Sequence, residues 1–296
     1  MLWIIFALLT PLFWSINSIF YKILLNKVAR NPFSFFVLLT VVHLPIILIL
    51  ALLFNPVFDI TFVILSIISS TIGNCGLLAY IFALQKEDAS KVVPLSNLNV
   101  VFTTVLAFFL LNEIFSLSKY FGIALLLSGA FILSYKKAKG KFHFTPALLF
   151  ILANASFISI ATIIDKFILE NIDFWSRYVW GTFGGIIISS LIFLKKDVRE
   201  DFFELIKFKK RNFVLTEVNN LFGMSGIIFW FVALSLGPAT LVSAMGATGP
   251  LITLIMTTLL TLFVPHILKE QIDKTNMAIK IIGIFLVILG SIITVF

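Results

Sequence analysis

Long apolar segments, separated by short polar ones, make up most of the chain. Runs such as 33–54, 117–134 and 234–264 contain hardly any charged residues. A helix of about 20 apolar residues is needed to cross a hydrocarbon core of about 30 Å, and these runs have that length. A spanning β-barrel would need alternating apolar and polar residues, which continuous apolar runs do not provide. The pattern therefore predicts an all-α integral membrane protein.

Ten segments fit transmembrane helices. The longest polar insert, residues 195–212, predicts a short amphipathic helix on the membrane surface. The first apolar segment has no basic region before it and no small-residue cleavage site after it, so we interpret it as a membrane helix rather than a signal peptide. The predicted spans are residues 2–24, 33–54, 60–84, 92–111, 118–135, 146–169, 174–194, 213–236, 239–264 and 277–296.

The second half of the sequence repeats the first. Residues 65–110 align without a gap on residues 215–260 with nine identities, and further matches join span one to six and span five to ten. The matched segments keep the same order in both halves, which is stronger support than the identities alone. Matched residues include Ser15 and Ser159, Lys22 and Lys166, Gly73 and Gly223, Gly76 and Gly226, Gly122 and Gly283, and Gly129 and Gly290.

Because each unit has five spans, an odd number, the second unit must enter the membrane upside down relative to the first. The sequence predicts two inverted five-helix repeats, residues 1–139 and 140–296, around a central cavity. Inverted repeats are a recurrent plan of secondary transporters, whose binding site lies near the membrane midplane between the repeats. A duplication can also serve only as a scaffold, and that alternative remains open at this point.

Composition and charge support the membrane assignment and suggest an orientation. Only 12% of the residues are charged, although the net charge is +8. The loops after odd-numbered spans and the adjoining helix ends contain 19 of the 22 Lys and Arg residues. The other face has only Lys119, Lys166 and Arg177. Since positive loops stay in the cytoplasm, both termini of this cell-membrane protein are expected outside. The basic loops are expected to contact lipid headgroups rather than nucleic acid.

Several short motifs carry a family resemblance. They are Phe13-Trp14-Ser15-Ile16-Asn17 in span one, Ala79-Tyr80-Ile81-Phe82-Ala83-Leu84 in span three, and Asn112-Glu113 followed by Gly122 and Gly129. The second half repeats them as Trp230-Phe231-Val232-Ala233-Leu234 with Pro238-Ala239, followed by Glu270 and Gly283. In this order they resemble the ten-helix EamA-type branch of the drug/metabolite transporter superfamily over nearly the whole chain.

The resemblance implies a 5+5 inverted repeat whose spans one, three, four, six, eight and nine line the cavity, with five and ten at the periphery. Substrates of such families are small metabolites such as amino acids, sugars and amines. Members of this branch generally have basic termini that face the cytoplasm. This chain has no basic terminal tail, so the family habit and the charge distribution predict opposite orientations.

Polar groups in the middle of a span are expensive to bury, so they are expected to face a cavity or another helix. Trp14, Asn17 and Tyr21 share one face of span one at helical spacing. Aromatic belts and helix-packing amides are the alternative interpretation of these residues. The predicted substrate-binding residues are Trp14, Asn17, Tyr21, Asn74, Asn97, Asn99, Asn220 and Trp230.

Proton coupling and gating have their own candidates. Glu217, six residues past Arg211, and His43, in the middle of span two, are the titratable residues proposed for coupling. Snorkelling of the carboxylate and simple packing of the imidazole are the alternatives. Lys22 and Lys166, which match in the repeat, are gate candidates, although an interface is also an ordinary place for lysine. Glu113 and Glu270 are expected to cap or anchor the helices that follow them, and not to bind the substrate.

The resulting prediction is a secondary transporter of a small polar metabolite that works by alternating access, coupled to protons or to exchange. The chain has no metal-binding, nucleotide-binding or paired-cysteine motif, since Cys75 is alone, so we expect no cofactor and no metal site. A lipid-linked-sugar flippase of the same superfamily, a membrane-embedded enzyme and a scaffold are the alternatives. The expected partners are a small-molecule substrate and the lipid bilayer, and the chain is expected to be a monomer or homodimer.

Overall fold

The computed structural model of the protein describes residues 2–27, 31–86, 92, 95–133, 146–208, 210–263 and 277–295. Within those ranges the secondary structure is helical and contains no strand. The helices, in chain order, are α1 (Leu2–Lys27), α2 (Pro32–Phe54), α3 (Ile60–Lys86), α4 (Leu98–Leu110), α5 (Leu117–Leu133), α6 (Pro146–Leu169), α7 (Phe174–Phe193), α8 (Lys196–Phe208), α9 (Lys210–Leu236), α10 (Ala239–Gly246), α11 (Gly249–Phe263) and α12 (Met277–Val295).

Local sequence signals fix where several helices begin and end. The Asn31 side chain accepts a hydrogen bond from the backbone N–H of Phe33, and Pro32 follows as the first residue of α2. The Asp173 side chain accepts from the first turn of α7 in the same way. Both are preferred N-cap residues, because their oxygens satisfy helix N–H groups that have no intrahelical partner. At the other end of α2, Asn55 takes a left-handed backbone with φ 42° and stops the helix.

Length and composition make this an integral membrane protein, as predicted. In the described part of the chain, five helices are long and apolar enough to cross a membrane, or six if the bent pair of α7 and α8 counts as one span. Four shorter apolar segments accompany them, at 98–110, 117–132, 239–253 and 281–295. Large apolar side chains such as Leu52 and Phe109 point outward, 81% and 72% exposed. Such an outer surface suits a hydrocarbon solvent.

The helices associate in a regular pattern of pairs. α1 packs along α9, α3 along α6, and α5 along α12. α11 joins α1 and α4 joins α6, while α2 lies against α7. Two bundles result, one around α1 and α9 and one around α3 and α6. The two bundles are connected by contacts of α4 with α10 and of α6 with α9.

Two of the predicted spans are broken helices. Predicted span nine becomes α10 and α11, because Ala247 and Thr248 form a turn between them. In predicted span four, Asn97 forms a turn directly before α4. Position 97 aligns with position 247 in the repeat, so the interruptions occur at equivalent points of the two halves.

Small residues allow α5 and α12 to cross closely. A Cβ atom on Gly290 would lie 2.7 Å from the carbonyl oxygen of Gly122, and one on Gly129 would lie 2.8 Å from that of Gly283. Either contact is too short for a real Cβ, so the backbones approach as closely as only glycine permits. The glycines that matched between the two halves therefore meet each other at one crossing.

The polar insert forms the predicted amphipathic helix. α8 turns away from α7 by 109°. Its apolar residues Val198 and Phe202 are buried against Val37 and Leu38 of α2, while its charged residues, among them Lys196 and Glu200, are exposed. A helix with one buried apolar stripe and a charged outer face is typical of a surface position.

Candidate functional site

Three of the predicted site residues meet in the seam between α1 and α9. The rings of Trp14 and Trp230 face each other with centroids 5.5 Å apart. Asn17 is buried, and its side-chain Nδ2 donates to the backbone oxygen of Asn219 at 2.8 Å and to its Oδ1 at 2.9 Å. The Asn17 amide nitrogen therefore joins two helices, which corresponds to the helix-packing interpretation of this residue.

Two other predicted asparagines also use their side-chain nitrogens for backbone contacts. Asn220 in α9 donates to the carbonyl oxygen of Leu39 in α2 at 3.2 Å. Asn74 in α3 donates to the carbonyl oxygen of Ser70, one turn earlier, at 2.8 Å. Both bonds satisfy polar groups in a water-poor interior, and the Asn220 bond also joins α9 to α2.

Asn97 and Asn99 lie where α4 begins. The Nδ2 atom of Asn97 is buried and has no hydrogen-bond partner among the described residues, whereas the backbone carbonyl of Asn99 accepts from the Ser159 hydroxyl at 2.8 Å. A buried donor without a partner is energetically costly. Asn97 thus has a buried side-chain donor, next to a helix break, that no described residue uses.

Tyr21 lies on the same helix as Trp14, nearly two turns further along. Its ring packs edge-on against Phe35 of α2, with centroids 5.6 Å apart. Tyr80 of α3 lies beside Ser18 of α1, so aromatic and hydroxyl groups of the two bundles meet in this region. Lys22, the first gate candidate, lies on α1, but its side chain is outside the described residues.

A buried ion pair that was not predicted from the sequence connects α6 and α7. The Arg177 guanidinium contacts Asp165 Oδ1 through Nη2 at 2.6 Å and through Nε at 2.7 Å, and only 3% and 8% of the two side chains are exposed. Ser69 and Ser70 of α3 accept further hydrogen bonds from the guanidinium, both at 3.2 Å. Arg177 also lies 4.8 Å above the ring centre of Phe231 in α9. One network therefore touches four helices.

The two coupling candidates occupy different surroundings. The imidazole Nε2 of His43 forms a short hydrogen bond with the hydroxyl of Tyr178, which joins α2 to α7. Glu217 lies about two turns into α9 and is half-buried. His43 is on a different helix, and the structure does not bring the two together in one cluster.

A cleft of about 500 Å³ lies between the ends of α4, α6 and α9. Lys166, the second gate candidate, lines it; its Nζ donates to the carbonyl oxygen of Leu234 at 3.0 Å and pairs with Glu170 at 3.2 Å. The loops around the cleft belong to the face with only three basic residues. We call this the cation-poor mouth, formed by residues 110–113, 166–170 and 236–238.

Glu113 also lines this cleft, and its partner differs from the predicted one. Its carboxylate accepts hydrogen bonds from the backbone N–H groups of Ala239 at 2.6 Å and Thr240 at 3.0 Å. Glu113 therefore caps α10, in the other half of the chain, and the prediction that it caps the following helix, α5, was wrong. The sequence could not reveal this partner because 126 residues separate it from Ala239. Glu270 lies outside the described residues.

The described ranges contain no group of three or more His, Cys, Asp or Glu side chains arranged to hold a metal ion. Cys75 is a free thiol in α3. The polar groups described above are amides, hydroxyls, one imidazole and paired charges. This chemistry can orient a solute and exchange protons.

Two sequence relatives and one solved structure show what this chain is similar to. An uncharacterised protein of Methanocaldococcus jannaschii is 32% identical over 133 residues, which cover 44% of this chain and 95% of the relative. A probable 4-amino-4-deoxy-L-arabinose-phosphoundecaprenol flippase subunit, ArnE of Pseudomonas fluorescens, is 36% identical over 59 residues, or 20% of this chain and 52% of the relative. A crystal structure of a protein that is 14% identical superposes with a TM-score of 0.72 over 98% of this chain and 95% of its own.

The solved structure shows that the fold is one already seen in a protein of nearly the same extent. Residues 1–135 match the model of the EamA-like transporter family. This stretch contains the motifs around Trp14, Tyr80 and Glu113. The chain therefore belongs to the EamA-like transporter family, within the drug/metabolite transporter superfamily.

Proposed function

We propose that the protein is a secondary transporter of a small polar metabolite, and that it works by alternating access of two inverted five-helix repeats, residues 1–139 and 140–296. The observation that carries this proposal is that equivalent residues make equivalent contacts in the two halves: α1 with α9 and α11, and α6 with α3 and α4. A pseudo-twofold relation between the halves requires this.

The serine hydroxyls give the first pair of contacts. Ser15 of α1 donates to the carbonyl oxygen of Gly249 at 3.2 Å. Its repeat counterpart, Ser159 of α6, donates to the carbonyl oxygen of Asn99 at 2.8 Å. Asn99 and Gly249 are themselves aligned in the repeat. In both halves, therefore, the same hydroxyl holds the same point at the beginning of a half-helix.

The seam residues two positions further along give the second pair. Asn17 donates to the backbone oxygen of Asn219. The counterparts of these residues are Ala161 and Ser69, and the Ser69 hydroxyl donates to the Ala161 carbonyl oxygen at 3.1 Å. The donor is on α1 in one seam and on α3 in the other, but the same two aligned positions are bonded in both seams. A chance similarity between two apolar sequences gives no reason for such agreement.

The half-length relative supports the same division. The Methanocaldococcus jannaschii protein is matched over 95% of its length by 133 residues, which is close to one five-helix unit. A unit of this size therefore occurs as a separate chain. Two copies fused in one polypeptide would give the proposed arrangement.

Two helix bundles that pack against each other suit alternating access. If the α1–α9 bundle tilts against the α3–α6 bundle, one mouth widens while the other narrows, and a solute between them is exposed to one side at a time. The cleft at the cation-poor mouth is one such opening. The distribution of basic residues supports placing this mouth, and both termini, outside the cell.

The substrate site in this proposal lies where the broken helices meet the aromatic residues of α1 and α9. Trp14 and Trp230 supply apolar faces for packing, and Asn97 supplies the available donor. Asn17, Asn74 and Asn220 would fix the cavity wall through the helix contacts they already make. Tyr21 and Asn99 complete the proposed set, and Lys22 and Lys166 are the proposed gates.

A flippase for a lipid-linked sugar is the second candidate, and the 59-residue similarity to the ArnE flippase subunit favours it. A flippase must admit an acyl chain from the side. The cleft instead opens between helix ends and loops and is lined by Lys166, Glu170 and Glu113. These three charged side chains share the cleft with apolar residues such as Leu110, Phe167 and Leu236, and they are the feature that favours a water-soluble solute.

Uptake into proteoliposomes tests the proposal. Solutes found by thermal-shift screening of amino acids, sugars and amines should accumulate, and the rate should change severalfold between pH 6 and pH 8 if Glu217 carries the coupling proton. Glu217→Gln should reduce uptake and bring the ratio of rates at the two pH values close to one, because an amide cannot exchange a proton.

Glu204→Gln is the matched control, because Glu204 is an exposed carboxylate on the surface helix α8. It should leave the pH ratio unchanged. A wild-type rate that is equal at pH 6 and pH 8 would contradict proton coupling at Glu217. Absence of uptake for every solute that binds would contradict the transport proposal itself.

A further inference from the structure

The amino end of α10 lacks a cap of its own. Its N-cap residue is Pro238, which offers no side-chain acceptor. The carboxylate of Glu113 takes that role from the far side of the cleft, one oxygen for the N–H of Ala239 and one for that of Thr240. A negative charge at a helix amino end is favourable, and charge-assisted hydrogen bonds are the stronger kind. Glu113 is thus a cap supplied across the boundary between the halves.

The backbone before Glu113 is shaped to present it. Asn112 takes a left-handed conformation with φ 53°, which asparagine tolerates better than most residues. The N–H of Glu113 then donates back to the carbonyl oxygen of Ala107 at 3.1 Å. The turn after α4 is therefore held in place, and the carboxylate points across the cleft toward α10.

The contact lies at the mouth and joins the two bundles. Glu113 follows α4, which packs with α6, whereas α10 packs with α1 as well as with α4. Directly inside the amino end of α10, Leu241 and Val242 are only 3% and 0% exposed. The first turn of α10, which follows the cleft residue Pro238, is therefore closely packed. To open this mouth further, α10 would have to move away from Glu113.

A second bond between the bundles lies beside it but differs in kind. Lys166 donates to the carbonyl oxygen of Leu234 at the end of α9, a bond that a long flexible side chain can keep while the helices move. Glu113 instead makes two bonds from a short side chain on a fixed turn. It is the contact that cannot follow a movement of α10.

We propose that Glu113 is a positioning residue that latches the cation-poor mouth shut by holding the amino end of α10, and that each transport cycle must release this contact. The inference rests on the proposed alternating access. It concerns the outer closure of the cavity and assigns Glu113 no contact with the substrate.

Thiol labelling of the full chain in liposomes tests the latch without a substrate. In a Cys75→Ser background, Val242→Cys places one thiol in the buried first turn of α10, and a membrane-impermeant maleimide is added to one side at a time. Glu113→Gln removes the charge and leaves one acceptor. We expect labelling from the cation-poor side to become about tenfold faster, a size typical of a charge-assisted contact at a helix end, and labelling from the other side not to rise.

Two further variants make the test specific. Asp59→Asn is the control, because the Asp59 carboxylate accepts from the N–H groups of Thr61 and Phe62 in its own helix, α3, and spans no cleft. It should leave labelling unchanged. Ala239→Pro attacks the latch from the other partner: it removes one donor N–H at the first position of α10, where proline suits a helix. It should raise labelling in the same direction as Glu113→Gln, by a smaller factor.

Equal labelling of the wild type, Glu113→Gln and Ala239→Pro would overturn the latch, and so would an equal increase in Asp59→Asn, which would indicate general loosening. Because the assay needs no transported solute, it can support the latch even if no uptake is found. Conversely, uptake with unchanged labelling would leave the transport proposal standing and the latch disproved.

Discussion

Replacing Arg177 with methionine should destabilise the folded protein severely. The change leaves the Asp165 carboxylate buried without its cation, and breaking a buried pair in this way costs about 3–5 kcal/mol. For a chain of this size the melting temperature in detergent should fall by roughly 10 °C. Thermal unfolding of the purified protein, followed by intrinsic fluorescence, measures the effect.

Two comparisons separate the buried charge from a general effect of mutation. The double variant Asp165→Asn with Arg177→Gln removes both charges and keeps polar groups that can bond, so it should be more stable than either Arg177→Met or Asp165→Asn alone. Lys196→Gln disrupts an exposed pair with Glu200, 3.7 Å apart, and should have no measurable effect. A melting temperature for Arg177→Met within about 2 °C of wild type would disprove the structural importance of the network.

Gly226→Ala should abolish most transport, although it adds a single methyl group. A Cβ at position 226 would overlap the indole ring of Trp14, so the ring must move away from Trp230 or α1 must separate from α9. Either displacement alters the proposed site, and misplacement of binding groups by about 1 Å can reduce a rate by about 100-fold. Uptake rate per folded protein, determined in proteoliposomes, is the measurement.

The repeat offers matched controls for this change. Gly73→Ala is the same substitution in the α3–α6 seam, where the nearest atom to the added methyl is the Cβ of Ala161 at an ordinary 3.7 Å. It should be tolerated. Gly76, the counterpart of Gly226, faces Ile158 and Phe157 at 3.2 Å and should give an intermediate effect. If the Gly226→Ala and Gly73→Ala variants transport equally well, transport does not depend on the present position of the Trp14 ring.

The helical architecture could be predicted from sequence because it depends on local properties of the chain. Long apolar runs indicate membrane helices, and the amphipathic insert between α7 and α9 was equally readable. The membership of the EamA-like family follows from the same ordered motifs. Repeat matches such as Ser15 with Ser159 also indicated which residues would occupy equivalent places, without giving their contacts.

The directions of the polar side chains were not predictable, since they depend on how each helix is rotated by its neighbours. From the sequence, the Asn17 side chain could point into a cavity or against a helix. Which of the two occurs depends on the position of α9. In the sequence analysis, Arg177 was counted only as one of the three basic residues on the cation-poor face of the membrane. Asp165 and Arg177 carry opposite charges twelve residues apart within apolar surroundings, and this pattern was a signal for a buried pair. Glu113 gave no local sign of a partner in the other half.

The inverted relation of the two repeats is the central claim, and the sidedness of two equivalent positions tests it most directly. Lys27 at the end of α1 and Asn171, just beyond the end of α6, occupy aligned places in the halves. Each is changed to cysteine separately in a Cys75→Ser background, and intact cells are treated with an impermeant maleimide before and after permeabilisation. Inverted repeats predict that one of the two thiols reacts in intact cells and that the other reacts only after permeabilisation. If the charge distribution sets the orientation, the thiol that reacts in intact cells is that of Asn171→Cys. Reaction of both thiols from the same side would contradict the account.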